Sequence, residues 1–194
     1  MFKAWVLLSA IIAGVLYGKP PVVTEVHPPP FVEKVESSGQ ELLQKQQLLI
    51  VLREQAKQGR LEGVETPLGS SFQEVIAAHE SPEEIANDEC WTYSYGHSQT
   101  KATFYYAHDS CSEELNHLRP DTILNKISVT PDFFRIRISE EDVKETLGKP
   151  AREYSNEAYG GYYMNYELQG FMLTFIASDE PPRKINRIQV IRTE

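Results

Sequence analysis

The chain is short of most residue patterns on which familiar enzyme chemistry rests. Its 194 residues include two cysteines, Cys90 and Cys111, with no Cys-x-x-Cys spacing, so a thioredoxin-type redox pair is excluded. The Gly-x-Ser-x-Gly elbow, the His-Glu-x-x-His zinc helix, the Walker loop and the dinucleotide-binding glycine fingerprint are all missing. With them go the usual templates for acyl transfer, zinc hydrolysis and nucleotide use. Basic residues are scarce, 19 Lys and Arg against 28 Asp and Glu, for a net charge of -9. That is the wrong sign for a phosphate backbone, and no nucleic acid partner is expected. No apolar run reaches the ~20 residues of a membrane-spanning helix; the longest uncharged stretch is Ala4 to Gly18, 15 residues.

That stretch follows Lys3 at the extreme N-terminus and precedes a proline-rich tract. As a helix it would extend roughly 22 Å against a hydrocarbon core of ~30 Å, the size of a signal-peptide apolar region. Residues 1–18 therefore read as a signal peptide or an N-terminal membrane anchor, a buried core helix being the competing reading. Leu16 stands where a cleavage site wants a small residue, so cleaved and retained forms both stay open, and no nearby cysteine offers a lipidation site. The expected location is extracytoplasmic, secreted or anchored to the cytoplasmic membrane through residues 2–18. Residues 19–39, with Pro20, Pro21 and Pro28-Pro29-Pro30, predict an extended, semi-rigid linker, because proline can neither continue a helix nor donate to a sheet.

From residue 40 the composition changes to that of a single α+β domain running to 194. Leu42, Leu43, Leu49, Ile50, Leu52 and Ala56 recur at about helical spacing before Gly59, which predicts an amphipathic N-terminal helix that packs on the core. Ser71, Val75 and Pro82 then return as Ser139, Val143 and Pro150, so the rest reads as two tandem helix-plus-antiparallel-sheet units, at about 63–131 and 132–194. Ser71 with Glu74 and Ser139 with Asp142 have capping-box spacing, and Gly148 with Pro150 ends the second helix. The predicted strands are Trp91–Tyr95, Thr103–Tyr106 and Ile123–Val129, then Tyr162–Leu168, Phe171–Ile176 and Ile185–Ile191. Turns are expected at His97–Thr100 and Gln169-Gly170, and a connecting strand at Phe133–Ile138.

The run Ala56-Lys57-Gln58-Gly59-Arg60, the link to Gly69-Ser70-Ser71 and the later Leu147-Gly148-Lys149-Pro150 resemble the YjgB-like family of small exported Gram-positive proteins of unassigned function. The resemblance covers about residues 41–192 and brings no catalytic residues with it. The layout also resembles the tandem units of the beta-lactamase inhibitor protein and of small lipoproteins of the outer-membrane assembly machinery, which bind other proteins. A shared architecture does not transfer that function.

Three constellations bear on chemistry. Cys90 and Cys111 flank the first predicted hairpin, whose paired residues are expected to sum to about 197, and in an exported chain they predict a disulfide stabilising by about 3 kcal/mol. Unpaired thiols are the alternative, and a zinc site from Cys90, His97, His108, Cys111 and His117 is disfavoured because the spacings match no zinc pattern. Glu83-Glu84 and Glu140-Glu141-Asp142 supply carboxylate pairs of the kind glycosidases use, but the second cluster falls in a first helical turn, where negative charge complements the dipole. The third group is Tyr154, Tyr159, Tyr162, Tyr163 and Tyr166 around Gly160-Gly161. Strand alternation would set Tyr163 opposite to Tyr162 and Tyr166, and outward tyrosines offer rigid contact area with a polar tip; ordinary core and cross-strand packing is the competing reading. These residues predict a non-catalytic extracytoplasmic binding or assembly module of the cell envelope, without catalytic residue, metal or cofactor, whose partner is another envelope protein or a wall component. The alternative is an envelope hydrolase or metal-binding enzyme using the carboxylates or the Cys/His segment.

Overall fold

A computed structural model describes residues 30–79, 84–88, 92–97, 102–107 and 119–193. Its three α-helices are α1 (Pro30–Ala56), α2 (Phe72–His79) and α3 (Glu140–Leu147). The strands are β1 (Glu84–Asp88), β2 (Thr92–His97), β3 (Ala102–Ala107), β4 (Leu124–Val129), β5 (Arg152–Ser155), β6 (Tyr162–Leu168), β7 (Phe171–Ala177) and β8 (Ile185–Arg192). All pair antiparallel in one eight-stranded sheet of order β1-β2-β3-β4-β8-β7-β6-β5. Each half is a capped helix followed by four strands, and the last strands of the halves, β4 and β8, pair with each other.

The two halves are closed in the same way. Ser71 bridges Ile123, just before β4, and Ser139 bridges Lys184, just before β8. Phe72 N–H donates to the Thr122 carbonyl at 2.8 Å and Glu140 N–H to that of Arg183 at 3.0 Å. The return bonds run from Leu124 to Ser70 at 2.8 Å and from Ile185 to Ile138 at 2.9 Å. Both serines cap as their spacing requires. Glu74 N–H donates to Ser71 Oγ at 3.3 Å and Ser71 N–H to Glu74 at 2.7 Å, with Ser139 and Asp142 reciprocating at 2.8 and 3.1 Å. These bonds satisfy helix N–H groups that have no partner within the helix.

All three helices cover one face of the sheet. Leu49, Leu52 and Ala56 of α1, Val75 of α2, and Val143 and Leu147 of α3 are buried against Phe104, Ile127, Met164, Leu173, Phe175, Ile188 and Val190. Gly59, at the end of α1, has φ +68°, and a Cβ there would stand 2.6 Å from the Phe171 ring, so a left-handed turn and a close approach both require glycine. Leu42, Leu43 and Ile50, expected in the core stripe, are exposed, because α1 meets α3 and β7 along one side only.

Four other expectations are corrected. Helix α1 starts at Pro30, not near residue 40; proline is tolerated at a first helical position, where its missing N–H is not needed, so any extended linker lies before it. Strands β1 and β5 were not expected: they are the two sheet edges, and β5, Arg152–Ser155, is largely exposed, so it lacks the apolar alternation that announces a strand. Phe133–Ile138 is not a strand. Pro131 opens a 3₁₀ turn over Pro131–Phe134, which Arg135 ends in a left-handed conformation at φ 55°, breaking the extended run. In the β2–β3 hairpin His97 pairs with Ala102 and Thr92 with Ala107, a register sum of 199, two more than expected, because His97 belongs to the strand and not to the turn. Gln169-Gly170 does form a two-residue turn, with Leu168 facing Phe171.

Candidate functional site

Alternation along β6 divides the tyrosine group in two. Tyr162, Met164 and Tyr166 face the helices; Tyr163, Asn165 and Glu167 face outward. Tyr166 is 5% exposed, packs edge-on against Phe175, and donates its hydroxyl to the Gly148 carbonyl at 2.9 Å, tying the end of α3 to the sheet. Burial pushes its phenol up to about 12, so it stays a neutral donor.

Tyr162 sits at the centre of a charge network. Its hydroxyl donates to Glu153 at 2.6 Å, and the Arg183 guanidinium lies 4.0 Å from its ring centre. Lys144 joins Glu153 at 2.6 Å to Glu140 at 2.7 Å, and Arg183 reaches Glu140 at 3.1 Å. Hydrogen bonds from Lys144 and Tyr162 hold the Glu153 carboxyl below its ordinary range. Partial burial works against ionisation of Glu140, yet Lys144 and Arg183 outweigh it and lower that carboxyl too. Lys144 is likewise raised: burial opposes its charge, but its hydrogen bonds to Glu140, Glu153 and Tyr162 win. The acidic cluster thus clamps α3 onto β5 and β6. Both carboxyls are held below their usual 4.5 in the folded chain, so their contribution to stability is full above that value and is lost as pH falls through the lower folded values. We expect the melting temperature to fall on acidification below about pH 4.5, and the paired variant E140Q/E153Q to show a shallower pH slope. An unchanged slope in the variant would show that the network does not contribute to acid stability.

The outward side is built differently. Tyr154 of β5 pairs with Tyr163 of β6, and their rings stack at 5.2 Å between centres with an 11° tilt. The Arg152 guanidinium lies 4.9 Å from the Tyr154 ring centre. The Tyr163 phenol is raised by burial first, then by Tyr154, while Arg187 lowers it and Asp179 and Tyr159 raise it. Tyr159, 76% exposed, crowns a loop held by Asn156, whose side-chain carbonyl accepts from the N–H of Ala158 at 3.1 Å and of Tyr159 at 3.3 Å. Asp179 closes the same loop by accepting from Gly161 N–H at 2.8 Å.

Beside the tyrosines runs a polar row. Register aligns Arg152, Asn165, Thr174, Gln189, Ser128 and Thr103 across six strands of the outward face. Asn165, Thr174, Gln189 and Ser128 are buried, and they satisfy one another, Thr174 donating to Asn165 at 3.0 Å and Gln189 to Ser128 at 3.4 Å. Sequence reasoning missed this row: each member is one polar residue in an alternating strand, and only the register lines them up. On the helix side a cleft of about 620 Å³ is lined by Lys45, Ile136, Arg137, Asp142 and Lys184 among others; Asp142 is occupied by Ser139 and by Lys45 at 3.4 Å.

Cys90, Cys111, His108 and His117 lie outside the described residues, as does Glu83, so the disulfide falls there too; His97 is the last residue of β2. Among the described residues, no group of three or more His, Cys, Asp or Glu is placed to hold a metal ion, and no helix is long and apolar enough to cross a membrane. Asp142 of the acidic cluster caps α3.

No protein-family model matches the sequence, and no curated protein matches it. Solved structures do. A cysteine-rich secretory protein from Staphylococcus aureus aligns over 68% of this chain and 47% of its own, at 10% identity and a TM-score of 0.42. YjgB of Bacillus subtilis, a DUF4309 family protein, aligns over 77% of this chain and 99% of its own, with 12% sequence identity and a TM-score of 0.58. The chain therefore shares the α+β fold of YjgB.

Proposed function

We propose that this chain is a non-catalytic extracytoplasmic binding or assembly module of the cell envelope, and that it docks its partner on the outward sheet face at Tyr154, Tyr159 and Tyr163. The observation that carries this reading is the stacked Tyr154–Tyr163 pair beside the exposed Tyr159. Rigid aromatic contact area of this kind costs little conformational entropy to bury, and Tyr and Arg are enriched among residues that dominate interface energies. The carboxylates of the Tyr162 network are by contrast tied to Lys144 and Arg183, an arrangement suited to holding α3 and not to moving protons. The extracytoplasmic assignment rests on the apolar segment Ala4 to Gly18 behind Lys3.

The test is site-specific cross-linking in intact cells from residue 159, with a control probe at the exposed Glu145 on α3. The expected result is a discrete adduct from 159 alone that Y154A/Y163A reduces at least tenfold. Equal adducts from 159 and 145, or no effect of the double variant, would remove the tyrosine face from the proposal. The disulfide between Cys90 and Cys111 is part of the same proposal for an exported chain, and intact mass before and after reduction tests it.

A further inference from the structure

Over strands β3 to β8 the outward face carries a charge balance opposite to that of the chain as a whole, while register puts Glu84 and Asp88 on the same face only at the far edge strand β1. The molecule has a net charge of -9, yet the outward positions of β3 to β8 hold Lys126, Arg152 and Arg187 against one acidic residue, Glu167. Asp179 stands at the rim with its carboxylate bonded to Gly161 N–H. Two cations of this face lie against aromatic rings, Lys126 at 3.8 Å from the Tyr105 ring centre and Arg152 over Tyr154, and the charge of Arg187 acts to lower the Tyr163 phenol. Among the described residues neither Arg152 nor Arg187 forms an ion pair, whereas Lys45, Lys144 and Arg183 on the helix side are held by carboxylates. Arg187 and Tyr154 share a row, with Tyr163 and Ile176 between them.

We propose that this face receives an acidic segment of a partner protein, with carboxylates bound by Arg152 and Arg187 on either side of the Tyr154–Tyr163 pair. The inference rests on the docking reading above and adds the chemistry of the partner. A guanidinium presents a planar fork that matches a carboxylate, and for Arg152 the stacking on Tyr154 pre-orders it, so less freedom is lost on binding. The two arginines stand three strands apart, roughly 14 Å across the sheet at the usual strand spacing, and two residues, roughly 7 Å, apart along it, a separation that a short acidic loop or strand covers. The uncharged row Asn165, Thr174, Gln189 and Ser128 lies alongside this span and puts no negative charge in its path. A polypeptide fits better than a polyanion such as a polyphosphate chain, because a polymer charged at every repeat would run beyond the two arginines and meet the acidic remainder of the molecule.

The experiment uses the full chain and a fluorescent glutamate decapeptide, with anisotropy read at low ionic strength. The expected result is binding that weakens at least tenfold in R152A/R187A, is partly kept in R152K/R187K, and is unchanged in R137A/K184A, which removes two cations of the helix-side cleft. Absence of binding, or an equal loss in R137A/K184A, would overturn the proposal. Inorganic polyphosphate bound as tightly as the peptide, and lost in the same arginine variant, would overturn it in favour of an anionic polymer. Sedimentation showing that the chain dimerises through the same two arginines would overturn it in favour of a second copy. If the cross-link from residue 159 survives in R152A/R187A, the acidic chemistry is wrong while the tyrosine face stands; if that cross-link is absent from the unaltered chain, the docking reading itself fails. Unchanged melting of the arginine variants checks that lost binding is not lost folding.

Discussion

Replacing Phe175 by Ala lowers the stability of the chain by about 3–5 kcal/mol, measured as a shift of the urea midpoint at constant slope. Phe175 is fully buried at the centre of the sheet's helix side, with Met164 and Ile188 opposite it on the neighbouring strands. Removing the ring forfeits its transfer free energy and leaves a cavity that close-packed neighbours fill only in part. It also removes the edge-on support of Tyr166, and with it the link from β6 to the end of α3. Against a typical total of about 5–15 kcal/mol, such a loss brings a marginal fold close to unfolding at physiological temperature. A cost under about 1 kcal/mol would mean that the helix layer does not pack on β7 as described.

Gly161→Ala costs about 2 kcal/mol and disorganises the loop that presents Tyr159. The backbone at Gly161 has φ +95°, and an added Cβ would stand 3.2 Å from the Ala177 carbonyl oxygen and 3.0 Å from Ile176 Cγ2. The φ penalty falls on any L side chain, and the nearby carbonyl belongs to the backbone of β7, which cannot swing aside. The residue also donates to Asp179 and accepts from Asn156 N–H, so strain there reaches both ends of the loop. Thermal melting reports the stability loss, and the cross-link yield from residue 159 should drop with it. Gly170→Ala is the matched control: φ is +76°, but nothing lies within 4 Å of its added Cβ, so it should pay the backbone cost alone. Equal costs for both variants would show that the close approach to β7 contributes nothing.

The repeated Ser71 and Ser139 were legible because a capping box is written within four residues and needs no tertiary partner. The central strands were legible from local patterns too: β7 is a nearly continuous apolar run, buried from Leu173 to Ala177, next to the Gln169-Gly170 turn, and β6 and β8 carry apolar residues on the core side. Edge strands escaped notice because one side of an edge pairs with nothing, and β5 is mostly exposed. The tyrosine group was visible as composition, but its members have different roles. Tyr162 and Tyr166 belong to the clamp under α3, while Tyr154 and Tyr163 stack on the opposite side of the sheet. The parity of β6 separates 163 from 162 and 166, whereas the match of Tyr154 to Tyr163 depends on the β5–β6 register, a long-range property.

By itself, then, the sequence determined the capped helices, the strand content of the sheet centre and the net acidity of the chain, all of which follow from local spacing and composition. Tertiary structure alone decided that β4 meets β8, joining the halves into one sheet, and that Asn165, Thr174, Gln189 and Ser128 form a row beside the tyrosine pair. It also decided that Arg152 and Arg187 share the outward face of β5 to β8, where Glu167 is the one acidic strand residue. The reason is physical: strand periodicity says on which side of a strand a residue lies, but which residues stand next to each other is set by register, and register is settled only when distant strands pair.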